Sequence, residues 1–114
     1  MSKKILVINE RLWILGLMIQ IISSLGKESV GCSDTKKALD IFRENKEDVY
    51  LVIVDLDTNA DVLELQKRIK EVRMGIRVFI SCTPRESSQE IVSEFDGVVL
   101  KPFKQEEIRK LLSG

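Results

Sequence analysis

Apolar positions in this chain follow two alternating rhythms. Short unbroken runs such as Ile5-Leu6-Val7-Ile8, Leu51-Val52-Ile53-Val54 and Val78-Phe79-Ile80 are separated by longer stretches where apolar residues recur every three or four positions. The runs are rich in Val and Ile without polar alternation, as strands buried on both faces are. The stretches between them read as helices with one apolar face. Strands are predicted at about 4–9, 28–32, 49–55, 77–82 and 97–100, and helices at about 10–25, 34–45, 61–73, 86–95 and 104–112, with a polar loop over 56–61. Gly26 and Gly75 stand where the first and third helices should end. Ser33 or Asp34 can cap the second. Five strand–helix alternations with short connections imply a parallel sheet covered by helices on both faces.

The first helix is unusually apolar. At about 100° per residue, Gly16, Gln20, Ser23 and Ser24 fall in one narrow sector, and Leu12, Ile14, Leu15, Leu17, Met18, Ile19, Ile21, Ile22 and Leu25 fill the rest. Trp13 lies inside the polar sector and is expected to be exposed. The helix is either deeply buried with one surface aromatic or presents a docking surface for a partner. It is too short and too polar to span a membrane.

Composition narrows the function classes. The 114 residues make one domain of 1–114, with 44% hydrophobic residues and 18 acids balancing 18 bases. Zero net charge gives no reason to expect nucleic acid or an anionic membrane as the main partner. The chain has no histidine. It therefore lacks the commonest general base and metal ligand, and any phosphohistidine in its chemistry must belong to another molecule.

The candidate chemistry sits at strand ends. Val49–Val54 leads straight into Asp55, and a charge inside such a strand would carry a large desolvation cost. Asp55 therefore belongs at the C-terminal lip, where parallel sheets hold their ligands. Strand one ends at Asn9-Glu10 and strand five at Lys101-Pro102-Phe103. Crowded carboxylates repel unless some protonate or a cation binds, and hard oxygen donors without imidazole or thiolate favour Mg²⁺.

Taken in order, these residues resemble the receiver domains of two-component response regulators, the CheY-like proteins. Lys3–Ile8 resembles that family's first strand. Asn9-Glu10 stands where it usually has two aspartates, and Asp55 stands at its phosphoacceptor. Leu63-Glu64-Leu65 with Arg68-Ile69 resembles its third helix, and Lys101-Pro102-Phe103 its lysine-proline-phenylalanine signature. The resemblance implies a flavodoxin-like, doubly wound α/β fold of five parallel strands in the order 2-1-3-4-5. It implies that Glu10 and Asp55 ligate Mg²⁺, that Asn9 does so directly or through water, and that the backbone carbonyl of Asp57 completes the protein ligands. Asp55 would take a phosphoryl group from a histidine kinase or histidine phosphotransfer protein. Lys101 would stabilise that group, held inward by a cis Pro102. The signal would pass to a downstream protein through altered contacts, with Trp13 as the candidate contact on the kinase side. The chain stops just after helix five, so it reads as a stand-alone receiver without an output domain, and not as an enzyme.

The implied strand order puts two strands between Cys32 and Cys82, about 14 Å at ordinary strand spacing, too far for a disulfide. Free thiols and no signal peptide point to the cytoplasm.

The pattern departs from the family at several points: Asn9 replaces an aspartate, and the loop after Asp55 lacks the family's Pro-Gly turn. With one residue missing from the loop after Asp55, the family's strand-four Thr or Ser falls on Cys82, whose thiol is a weak donor. A register one residue different puts Ser81 there. Val98 stands where the family has a switch aromatic. Helix four looks about three residues short. These departures define a first rival, a degenerate receiver that binds proteins without being phosphorylated. A second rival follows from Val54-Asp55-Leu56-Asp57-Thr58, which resembles the first motif of haloacid-dehalogenase-type phosphatases. Those need a later acidic pair, for which only Glu94 and Asp96 are near a suitable place. A flavodoxin-like cofactor role is weaker, because the turn Asn9-Glu10-Arg11-Leu12 has no Gly, Ser or Thr to cradle a phosphate.

Overall fold

A computed structural model describes residues 4–56, 61–86 and 88–113. The strands are β1 (Lys4–Ile8), β2 (Glu28–Cys32), β3 (Val49–Asp55), β4 (Arg77–Cys82) and β5 (Gly97–Leu100). They form one parallel sheet in the order β2-β1-β3-β4-β5, as expected. The helices are α1 (Leu12–Ser24), α2 (Ala38–Asn45), α3 (Val62–Val72), α4 (Gln89–Val92) and α5 (Gln105–Ser113).

Side chains alternate across each strand, so the unbroken apolar runs feed two cores. Leu6, Ile8, Val52, Val54, Val78 and Ile80 pack with Ala38, Phe42, Leu65 and Ile69 from α2 and α3. Ile5, Val7, Leu51, Ile53, Phe79 and Val99 pack with Leu15, Met18 and Ile22 from α1 and Ile108 from α5. Burying each of these side chains fully is worth about 1.5–3 kcal/mol, so the sheet's position between the helix layers is strongly fixed.

Gly26 acts as predicted, and Gly75 in part. Gly26 and Gly75 have φ of +79° and +87°, a left-handed conformation: Gly26 follows the C-cap of α1 and lets it end abruptly, while α3 has already left helical backbone at Arg73 and Gly75 turns the chain toward β4. Asp61 caps α3, its carboxylate accepting from the Leu63 and Glu64 N–H groups.

Other boundaries moved. The side chain of Asp34 accepts from the Lys36 N–H and its carbonyl from the Lys37 N–H. Residues 34–38 thereby close i→i+3 turns, Ala38 N–H donating to the Thr35 carbonyl, in place of the i→i+4 bonds of an α-helix. Accordingly α2 starts only at Ala38, and no side chain caps it. Helix α4 is a single turn, held by Ser88, whose Oγ accepts from the Ile91 N–H. The segment just before it is instead occupied by Thr83, whose N–H and Oγ both donate to Glu86 Oε1.

Candidate functional site at the C-terminal lip

Strand register brings the predicted residues together. Ile8 pairs with Val54, and Asn9 continues the ladder through its N–H to the Cys32 carbonyl. Asn9 and Asp55 thus lie level on neighbouring strands. Asp55 itself pairs with Ser81, and Ser81 with Val99. Asp55 shares its strand phase with Leu51 and Ile53, and Ser81 shares its phase with Phe79, so both face the α1–α5 layer.

Asp55 is only 2% exposed, and three donors converge on its Oδ2: Lys101 Nζ at 2.7 Å, Asn9 Nδ2 at 2.9 Å and Ser81 Oγ at 3.2 Å. A buried carboxylate needs this company, because an uncompensated charge in such a place is very costly. The Lys101–Pro102 peptide is cis, as expected. Lys101 N–H donates to the Cys82 carbonyl, which seats the lysine backbone against the end of β4.

The hydroxyl at this site belongs to Ser81, which corrects the expectation for Cys82. Cys82 is fully buried and shares its strand phase with Val78 and Ile80, which pack toward α2 and α3. The physical reason is the period of two: the residue across from Asp55 must be in phase with it, and a one-residue slip turns the side chain to the other face.

Asn9 is held at both ends of its amide: Oδ1 accepts the Arg11 N–H and Nδ2 donates to Asp55 Oδ2, each at 2.9 Å. Glu10 is half-buried in the bend that follows β1. The Asp57 carbonyl lies outside the described residues, as does most of the predicted loop. Among the described residues, no three His, Cys, Asp or Glu side chains converge as a cation site. Asp55 ends β3 and Glu10 follows β1 at the same edge of the sheet, and carboxylate oxygens are a donor type that suits Mg²⁺.

Val98 is half-buried on β5, pairs with Ile80 and packs toward the α2–α3 core. Trp13 is 72% exposed, as its helix sector required. Leu12 and Leu17 were expected in the apolar arc but are exposed at 71% and 40%. They flank Trp13 and Gly16 on the outward side, and α1 buries only Ile14, Leu15, Met18 and Ile22. The apolar arc exceeded what the sheet could cover.

The phosphatase motif finds no later acidic pair here. Asp96 lies just before β5, accepts from the Val78 N–H at 2.8 Å and from Lys70 Nζ at 2.8 Å, and so sits at the start of β4 rather than its end. The two cysteines are buried and not joined to each other, lying on strands separated by β1 and β3. Burial pushes the Cys32 thiol above its usual range, and its Sγ donates to the Asp34 carbonyl. A thiol held protonated in this way is a core residue and a poor nucleophile. Among the described residues no helix is long and apolar enough to cross a membrane.

No protein-family model matches this chain, and no curated protein matches it. Solved structures do. The chemotaxis protein CheY4 of Vibrio cholerae superposes with a TM-score of 0.86 at 20% identity, over 99% of this chain and 98% of that one. A response regulator receiver domain from Clostridium thermocellum gives 0.85 at 21% identity, over 97% and 91%. The receiver domain of a sensor histidine kinase from Pseudomonas aeruginosa, which holds a magnesium ion in its active-site cleft, gives 0.83 at 14% identity, over 99% and 96%. The chain has the fold of CheY-like receiver domains, with the flavodoxin-like strand order of that fold.

Proposed function

We propose that this protein is a phosphorylatable receiver. Asp55 accepts a phosphoryl group from a phosphohistidine of a histidine kinase or phosphotransfer protein. A carboxylate oxygen of Asp55 attacks phosphorus as the phosphorus–nitrogen bond breaks. The electron pair of that bond returns to the imidazole nitrogen, and an acyl phosphate remains on Asp55. Lys101 and Ser81 already lie against the carboxylate and can follow the charge outward onto the phosphoryl oxygens. Glu10 and Asp55, with the Asp57 carbonyl, would hold Mg²⁺, which when bound supplies neutralisation of charge on the transferring group. The phosphorylated lip would then alter contacts with a downstream protein.

The observation that supports this reading most directly is the convergence of Lys101, Ser81 and Asn9 on one oxygen of Asp55 in a receiver fold. Incubation with Mg²⁺ and acetyl phosphate, read by intact mass, tests it. The wild type gains one phosphoryl group and Asp55→Asn gains none. An unlabelled wild type, under conditions that label another receiver, defeats the proposal. That outcome would favour a binding module that is not switched, a reading to which the Asn9 amide and Val98 lend weight.

Trp13 with Leu12 forms the proposed contact for the phosphodonor protein. A buried aromatic anchor at an interface is worth about 2 kcal/mol, roughly thirtyfold in affinity. Trp13→Ala should slow labelling by a phosphorylated histidine phosphotransfer domain to about that degree, and leave labelling by acetyl phosphate unchanged. Equal rates from the protein donor would remove Trp13 from the contact.

A further inference from the structure

Asn9 touches both the acceptor and the start of a helix. Its side chain is 5% exposed and planar, with Nδ2 on Asp55 Oδ2 and Oδ1 on the Arg11 N–H, each at 2.9 Å. Bonds at both ends fix the amide plane, so a movement of one end displaces the other. Arg11 is the N-cap of α1 and makes no side-chain cap itself, and no acidic residue lies in the helix's first turn. The entry to α1 is therefore set by Asn9 and not by capping chemistry within the helix. The next two residues are Leu12 and Trp13, both more than 70% exposed.

Phosphorylation changes what Asn9 binds. The Asp55 carboxylate is a charged acceptor, and hydrogen bonds to it are roughly twice as strong as neutral ones. In the acyl phosphate the carboxyl oxygens are an ester and a carbonyl oxygen, and the charge lies further out. The Nδ2 donor then either follows the charge or loses much of its bond. In both cases the amide turns, and the Arg11 N–H must move with Oδ1 or give it up. The opposite edge offers no such lever: Val98 is β-branched, has one favoured side-chain conformation and carries no polar atom. We propose that Asn9 is a positioning residue that couples the charge state of Asp55 to the first turn of α1, so that the state of the acceptor is expressed at Leu12 and Trp13.

This rests on Asp55 being the phosphoacceptor, and the test separates the two ideas. Beryllofluoride with Mg²⁺ mimics the phosphoryl group, and its occupancy is read by fluorine NMR. Trp13 is the chain's only tryptophan, so its emission reports on α1 directly. In the wild type, Trp13 emission should change with the same midpoint as beryllofluoride occupancy, beyond any change caused by Mg²⁺ alone. At matched occupancy the change should be lost in Asn9→Ala. It should also be lost in Arg11→Pro, which removes the N–H at the far end of the link without touching Asp55. Proline is tolerated at a helix start, so this second variant keeps the test alive if the first does not fold. Failure to bind beryllofluoride would overturn the acceptor reading and this coupling together. Binding with unchanged Trp13 emission, or an undiminished change in either variant, would overturn the coupling alone.

Discussion

Two lysine–aspartate pairs sit at opposite ends of the same sheet. Lys101 and Asp55 meet at 2.7 Å with side chains 14% and 2% exposed, while Lys70 and Asp96 meet at 2.8 Å with both 35% exposed. Each aspartate oxygen also takes further donors: Asn9 and Ser81 on Asp55, the Val78 N–H on Asp96. Distance and chemistry barely differ, but burial does. A pair exposed to water contributes little, because solvent already stabilises each charge. In a buried pair each ion depends on its partner, since the effective cost of removing one ion from water is several kcal/mol. The lip therefore holds a carboxylate that depends closely on the Lys101, Asn9 and Ser81 donors around it, which is the condition under which moving its charge can be felt elsewhere.

The sharpest way to break this contrast is to remove each lysine. Lys101→Met should destabilise the fold by about 3 kcal/mol, the lower end for a broken buried pair because Asn9 and Ser81 still donate to Asp55. Lys70→Met should cost less than about 1 kcal/mol. Urea unfolding of both variants against the wild type measures the difference. Equal costs would mean that water reaches Asp55 and that the lip is no more desolvated than the far end.

The next effect concerns rate. A hydrogen bond to a charged group contributes about 1.5–3 kcal/mol, so Ser81→Ala should slow labelling by acetyl phosphate roughly tenfold to hundredfold. Cys82→Thr should leave the rate unchanged, because that side chain belongs to the other face of β4. The reverse pattern would show that the in-phase partner of Asp55 had been misassigned.

Ser81 and Cys82 also mark the limit of what the chain makes legible. The parallel strands and the place of Asp55 at the lip followed from the unbroken apolar runs, since a charge can end such a run but not interrupt it, while the strand order came from the resemblance to receiver domains. Which of two adjacent residues faced Asp55 depended on counting through a loop whose length carries no periodic signal. The phase was nevertheless present in the sequence: Phe79 and Ser81 alternate with Val78 and Ile80, and only one set can share the layer of Ile53. Asn9 read by resemblance as a cation ligand, direct or through water; that its amide also donates to Asp55 was not foreseen, because an amide carries donors as well as an acceptor. Leu12 and Leu17 fell in an apolar arc wider than one sheet face needs, which left burial and an exposed docking surface both open. Their exposure follows the second reading, because the sheet and α5 do not cover them.

The smallest effect tests the exposed side of the contrast. Burial alone would raise the Asp96 carboxyl, but the bonds from Lys70 and the Val78 N–H outweigh it and hold the group below the usual carboxylate value. A depressed value in the folded state stabilises the fold above the unfolded value of about 3.9, and that stability fades as pH falls through the lower folded value. Asp96→Asn keeps an oxygen for the Val78 N–H and removes only the charge. The variant should therefore be less stable than the wild type at neutral pH by under about 1 kcal/mol. The gap should shrink steadily as pH drops below about 4, because the wild-type aspartate then becomes neutral as well. Thermal melts of both proteins across that range read it. A gap that stays constant with pH would show that the charge of Asp96 is not the source of the difference, and the two ends of the sheet would then differ in kind as well as in degree.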